Sequence, residues 1–171
     1  MTCLLAVQFR TKVMIAGDTR ITNDGEYTDG TRKVFAVNKK VLAGICGDAN
    51  FIDVFLQLLP SLKPSVTALD AARRVQNALP PAPSYSFGLL FVSKGQAAEL
   101  SEDGLMEFPL AHLGTARAGS GGLIADVYFH GPGAGVATIQ DAQNRLRDAI
   151  AVASQYRTDC GPHGMIVVSN A

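Results

Sequence analysis

Charge is scarce in this sequence. Of 171 residues, 18% are charged, against about 25% in an ordinary soluble domain. That shortage suggests that part of the surface is covered by other subunits. What charge there is cancels, with fifteen Lys and Arg against fifteen Asp and Glu. No basic footprint therefore argues for nucleic acid. No apolar run approaches the roughly 18 residues of a membrane-crossing helix. The apolar run at the N-terminus has no charged leader and is closed early by Arg10, so it does not read as a signal peptide. Cysteine is equally sparse. Cys3, Cys46 and Cys160 are an odd set without a pairing pattern, which speaks against a disulfide framework and for a reducing, cytoplasmic setting. Cys160 and His163 have a metal-ligand spacing, but no second Cys/His pair completes a tetrahedral site. Neither metal nor cofactor is expected.

What is present is apolar and patterned. Hydrophobic residues make up 47%, ample for a core, and the length fits one domain spanning 1–171. Cys3–Phe9 and Val13–Gly17 flank the polar Arg10-Thr11-Lys12 and read as a hairpin. Asp18–Thr31 is polar and contains glycine, hence a loop. Val34–Val37 and Val41–Ile45 make a second hairpin around Asn38-Lys39-Lys40. Asp48 or Asn50 can cap a helix whose apolar face is Phe51, Phe55, Leu58 and Leu62, and Pro60 must end or kink it. Thr67 and Asp70 resemble a capping box ahead of a stripe of Ala68, Ala72, Val75 and Leu79. The prolines at 80, 81 and 83 stop that helix. Ser86–Val92 and Gln96–Leu100 form a third hairpin, and Met106–His112 is a further strand. Gly119–Gly122 opens a short helix that ends near Gly131. Ile139, Ala142, Leu146, Ala149, Ile150 and Ala153 mark a longer one. Met165–Val168 closes the chain. Strands, two helices, strands, two helices, strand is not a doubly wound order. It predicts an α+β fold of antiparallel sheets with helices segregated on the outer faces.

Thr2 directly follows the initiator. Once Met1 is removed, one residue carries both a hydroxyl nucleophile and a free α-amine that can serve as its base. That amine has an ordinary pKa of about 7.7–8.0, so a small downward shift makes it a competent base near neutral pH. Threonine is small enough for Met1 to be trimmed, no longer propeptide is expected, and removal of Met1 is the expected activating step.

Several spaced residues line up with Thr2. They are Gly17-Asp18-Thr19-Arg20-Ile21-Thr22, Thr31-Arg32-Lys33, Gly44-Ile45-Cys46-Gly47-Asp48, and Gly119-Ser120-Gly121-Gly122. The set resembles the proteasome β-subunit family of N-terminal-nucleophile hydrolases, which includes bacterial HslV and a small β-proteobacterial homologue. The resemblance implies a four-layer αββα sandwich of two antiparallel sheets between helix pairs. It implies a threonine-type endopeptidase with Thr2 as nucleophile, Asp18 and Lys33 as the buried acid and lysine beside it, and Gly47 supplying the oxyanion N–H. Ser120 and Gly121 match the segment that hydrogen-bonds the threonine region, and Asp159 matches a further acid. Thr22, Gly47 and Ala49 match positions that pair with an extended substrate. Ile45 matches the floor of the specificity pocket, with Thr31, Phe35 and Ala49 as an uncharged wall and Asp53 farther out. The expected substrate is a peptide or unfolded protein. The expected assembly is a homo-oligomer of two stacked six- or seven-membered rings, and the resemblance leaves open an ATP-dependent unfoldase as partner. One departure stands out. Three residues after Asp159, where the family carries a serine, this chain has Pro162, followed by His163, which could replace it.

Other readings compete. Ser120, Asp159 and His163 follow the chain order of an α/β-hydrolase triad, but Gly114–Ala118 is no buried parallel strand. Gly131–Gly135 is a poor phosphate cradle, because no strand precedes it and proline removes an N–H. The same fold could also serve as a ring scaffold with little activity, or as a small-molecule amidohydrolase.

Overall fold

The computed structural model describes residues 2–23, 26–80, 86–133, 135–161 and 163–169. Met1, the prolines at 81 and 83, Ala134 and Pro162 lie outside that set. In chain order the elements are β1 (Leu4–Phe9), β2 (Lys12–Asp18), β3 (Ile21–Asn23), β4 (Glu26–Thr28), β5 (Val34–Ala36), β6 (Leu42–Gly47), α1 (Ala49–Leu58), a 3-10 turn (Leu59–Leu62), α2 (Ala68–Ala78), β7 (Phe87–Ser93), β8 (Gly95–Ser101), β9 (Gly104–Leu110), β10 (Thr115–Ala118), α3 (Gly122–His130), α4 (Ile139–Tyr156) and β11 (Gly164–Val168).

One sheet has the order β10-β1-β2-β11 and the other β5-β6-β7-β8-β9, both antiparallel throughout. Three apolar clusters define the layers. Leu4, Ala6, Val13 and Ile15 of the first sheet meet Leu42, Leu90 and Val92 of the second. The other faces of the same strands carry Leu5, Val7, Met14 and Ala16 toward Phe129, Leu146 and Ile150 of α3 and α4. On the far side, Ala43, Ile45, Leu89 and Phe91 pack on Phe51, Phe55, Ala72 and Val75 of α1 and α2. The expected αββα sandwich is what these contacts build. Because β1, β2, β6 and β7 are buried on both faces, their sequences run almost continuously apolar instead of alternating with polar residues.

The helices begin where their caps stand. Asp48 accepts from the Asn50 N–H ahead of α1, and Thr67 accepts from the Asp70 N–H ahead of α2. The Asp70 carboxylate reaches back to Val66. Pro60 converts the end of α1 into the 3-10 turn, which still buries Leu62. Three strands depart from the sequence reading. The loop expected over Asp18–Thr31 contains the small β3–β4 hairpin, and Gly114–Ala118 supplies β10, the edge strand paired with β1. A four-residue strand with polar Thr115 and Arg117 on one face carries too little apolar pattern to stand out.

Register brings several chain ends together. Leu4 lies opposite both Gly17 and Ala118, and Gly164 lies opposite Asp18. Thr2, Asp18, Gly119 and Gly164 therefore gather at one end of the first sheet. Lys33 just precedes β5, and its carbonyl accepts from Ile45 at 2.8 Å. This hydrogen bond brings it to the end of β6 where Gly47 lies.

Candidate active site

A lysine and an aspartate are buried together at that end. Lys33 is 3% exposed and Asp18 0%, and Lys33 Nζ lies 3.2 Å from Asp18 Oδ1 and 3.1 Å from Oδ2. Removing two charges from water costs several kcal/mol per ion, so such a pair is a poor stability device. It needs compensation, and backbone supplies it. Asp18 Oδ1 accepts the Cys3 N–H at 2.8 Å, and Oδ2 accepts the N–H groups of Arg20 and Gly161 at 3.0 Å each. Three separate segments thus converge on one carboxylate.

Lys33 Nζ also donates to Thr2 Oγ1 at 2.9 Å. Thr2 is 2% exposed. A cationic donor on a hydroxyl stabilises the alkoxide form that develops as the hydroxyl attacks. The main chain of Thr2 is held from the other side, where the Gly121 N–H donates to its carbonyl oxygen at 3.3 Å. Gly119 has φ +79°, and a Cβ there would stand 2.2 Å from that same oxygen. Only glycine fits.

Thr2 and Lys33 line a cleft together with Arg20, Ile45, Gly47, Ala49 and Ile52. Gly47 ends β6 with φ +112°, and a Cβ on it would meet the Ser86 carbonyl oxygen at 2.4 Å. It precedes the cap Asp48 by one residue, so its N–H sits at the strand end just ahead of α1. Thr31 and Ala49 border the continuation of the cleft, and Thr22 pairs with Tyr27 in the β3–β4 hairpin. Phe35 departs from its expected place. It is turned into the core against Phe55, with ring centroids 5.7 Å apart, and Ile52 stands in the cleft wall in its stead. Asp53 is exposed on α1 and is not among the residues lining the cleft.

Ser120 Oγ donates to Asp159 Oδ2 at 3.0 Å. Arg157 holds the same carboxylate with Nε to Oδ1 and Nη2 to Oδ2, both at 3.1 Å. The Arg157 guanidinium, aided by the Ser120 hydroxyl, keeps the Asp159 carboxyl below its ordinary range. His163 does not take the expected part. It is exposed, its backbone carbonyl accepts from Thr19 Oγ1 at 3.5 Å, and among the described residues no hydrogen bond joins its ring to Asp159. The hydrolase-triad order of Ser120, Asp159 and His163 is therefore not a triad in space.

Cys3 and Cys46 are poor competing nucleophiles, whereas the hydrogen bond with Cys3 draws the Cys160 thiol below its usual range. A hydrogen bond with Cys160 and burial hold the Cys3 thiol well above its usual range. Burial pushes Cys46, in the cleft wall, up to about 11. Cys3 and Cys160 lie side by side under Gly121, whose absent Cβ would stand 3.2 Å and 2.7 Å from their sulfurs. All three cysteines are free. Among the described residues, no group of three or more His, Cys, Asp or Glu is arranged to hold a metal, and no helix is long and apolar enough to cross a membrane.

The sequence reading missed Arg20 and Ile52 in the cleft, Arg157 on Asp159, and the Gly161 N–H on Asp18. Arg20 and Arg157 resemble ordinary surface arginines in sequence, and a backbone N–H has no sequence signal at all.

Comparison with known proteins bears on the fold. The sequence model of the proteasome subunit family matches residues 2–60, the stretch that holds Thr2, Asp18, Lys33 and Gly47. No curated protein sequence matches the chain. Among solved structures, eukaryotic HslV from Trypanosoma brucei superposes with a TM-score of 0.77 at 19% identity, over 98% of each chain. The Thiobacillus denitrificans BPH, solved in complex with epoxomicin, gives 0.76 at 19% identity, over 98% of this chain and 97% of that one. In fold the chain is similar to HslV and the Thiobacillus protein, an αββα sandwich of two antiparallel sheets between helices.

Proposed function

We propose that the protein is a threonine-type endopeptidase that acts through Thr2 once Met1 has been removed. The observation that carries this reading is the 2.9 Å contact from the buried, Asp18-held Lys33 to Thr2 Oγ1. The positive charge of Lys33 discourages a second one on the adjacent α-amine, which lowers that amine's pKa and readies it as base. The amine takes the hydroxyl proton, Oγ attacks the peptide carbonyl, and the Gly47 N–H stabilises the oxyanion. The amine then returns the proton to the leaving amine. Water, activated by the same α-amine, hydrolyses the ester left on Thr2. The apolar wall of Ile45, Ala49 and Ile52 favours apolar side chains before the scissile bond.

The reading includes a homo-oligomer of two stacked six- or seven-membered rings with the threonines inside, working in the cytoplasm, where the three thiols stay reduced. The experiment is direct. Purified protein with its N-terminus identified is offered a peptide library and, separately, epoxomicin, the ligand of the Thiobacillus relative. An N-terminal Thr2 with peptide turnover that epoxomicin blocks is the expected result. Labelling without peptide turnover would indicate a small-molecule amidohydrolase, and neither would leave a ring scaffold. Equal turnover by protein that retains Met1 would refute the threonine mechanism.

A further inference from the structure

Asp18 is held mainly by backbone N–H groups and by Lys33, but Asp159 depends on side chains. Ser120 gives it one hydrogen bond and Arg157 gives it two. The Asp159 side chain is 14% exposed and that of Arg157 39%. The guanidinium fork matches both carboxylate oxygens at once, which sets the position and the torsion of the acid together. Asp159 in turn orients the hydroxyl of Ser120. Ser120 stands between Gly119, whose missing Cβ makes room for the Thr2 carbonyl, and Gly121, whose N–H donates to it. A chain of contacts therefore runs from Arg157 through Asp159 and Ser120 to the main chain of the nucleophile. His163, the other candidate support for Asp159, is exposed, and among the described residues no hydrogen bond joins its ring to that carboxylate.

Resting on the threonine reading, we propose that Arg157 is a positioning residue for that reaction, acting on Thr2 through Asp159 and Ser120. It does two things. It fixes the Gly119–Gly121 turn against Thr2, and it neutralises an Asp159 carboxylate that reaches the Thr2 main chain through Ser120 and that turn, where the amine must stay uncharged to act as base. An unpaired carboxylate there would favour the protonated amine and disable it. Partial burial makes that effect stronger than it would be in open water.

The test compares Arg157→Ala, Arg157→Lys, Asp159→Asn and Arg157→Ala/Asp159→Asn in the trimmed protein. It uses a fluorogenic peptide, with thermal melting alongside. Arg157→Ala is expected to lose about 10- to 100-fold in kcat with little change in KM, as displaced geometry does. Its acid limb in kcat/KM should move up by about half a unit or more, as an unpaired neighbouring carboxylate requires. Arg157→Lys keeps the charge without the fork, so its limb should stay in place while kcat is only partly restored. The double variant should return the limb to its original position, because the unpaired charge is gone. If Arg157→Ala melts too low to assay, Arg157→Lys and Asp159→Asn decide the matter between them. An unshifted acid limb in Arg157→Ala, or a loss that follows melting temperature alone, would overturn the proposal. Thr2→Ala separates it from its premise. If Thr2→Ala is inactive while Arg157→Ala is fully active, only the role of Arg157 falls. If Thr2→Ala remains active, both fall together.

Discussion

At the scale of single residues, Thr2, Lys33 and Asp18 are joined by hydrogen bonds, and the proposed threonine mechanism uses them as one unit. Thr2→Ala should reduce peptide turnover by roughly four orders of magnitude or more, as removal of a nucleophile does, with the fold intact by melting. Thr2→Ser keeps both hydroxyl and amine and should retain measurable turnover. Lys33→Ala should be nearly as inactive as Thr2→Ala, since the two effects do not add. It should also melt lower. Asp18, 0% exposed, loses its cation, and breaking a buried pair costs about 3–5 kcal/mol. Gly119→Ala is a purely backbone test. The positive φ and the 2.2 Å approach to the Thr2 carbonyl leave no room, so stability should fall by about 1–3 kcal/mol and turnover with it. A Gly119→Ala protein that melts and turns over like the parent would contradict the tight turn against Thr2.

At the scale of elements, α4 is the best-specified helix. Thr138 accepts from the Asp141 N–H, and the Asp141 carboxylate accepts from the Thr138 N–H at 2.8 Å. This box draws the Asp141 carboxyl below its ordinary range. One face then buries Ala142, Leu146, Ala149, Ile150 and Ala153 against the first sheet. Thr138→Ala should cost about 1 kcal/mol and leave turnover unchanged, which melting and a peptide assay together can check. Leu146→Ala should cost about 2–5 kcal/mol through the cavity it leaves. A larger loss for Thr138→Ala than for Leu146→Ala would mean that the cap, and not the packed face, holds α4 in place.

At the scale of the whole molecule, pH and assembly can be read. Asp159, with an ordinary value of 3.8 lowered by Arg157, adds stability above that value and loses it as pH falls through the lower folded value. Glu99 acts in the opposite sense. Burial raises it from 4.5, so stability declines as pH climbs from 4.5 to the raised value, and the cost persists at neutral pH. Glu99→Gln should therefore melt slightly higher at pH 7, by under about 1 kcal/mol for a half-exposed group, and show a flatter melting curve across that window. An unchanged pH dependence would count against burial of Glu99. The proposed assembly calls for an apolar surface to cover. Leu123 and Val127 of α3 are 56% and 65% exposed in a chain that is short of charge. Native mass spectrometry should show a multi-subunit ring particle, and a monomer at micromolar concentration would remove the compartment from the proposed function.

Local pattern was enough for most of the fold. The spacing of Phe51 and Phe55, the caps at Asp48 and Thr67, and the stripe from Ile139 to Ala153 are periodic over two or more turns, so each names its helix and its buried face by itself. The doubly buried β1, β2 and β7 announce themselves as apolar runs. The assignment of Asp18, Lys33, Gly47 and Ser120 came instead from the resemblance of the ordered segments around Thr2 to the proteasome β-subunit family, since each residue alone is of an ordinary type. What local pattern cannot hold is a partner that lies far along the chain. Phe35 has the right composition for the cleft wall but turns into the core, because aromatic packing on Phe55 decides its side. The bonds from Gly161 to Asp18 and from Arg157 to Asp159, like the edge pairing of β10, exist only after two sheets align the ends of distant strands. Sequence determined which groups are available and which elements form. Tertiary structure decided which groups meet, since hydrogen bonds and ion pairs act over about 3 Å and only strand register brings residues 143 positions apart within that reach.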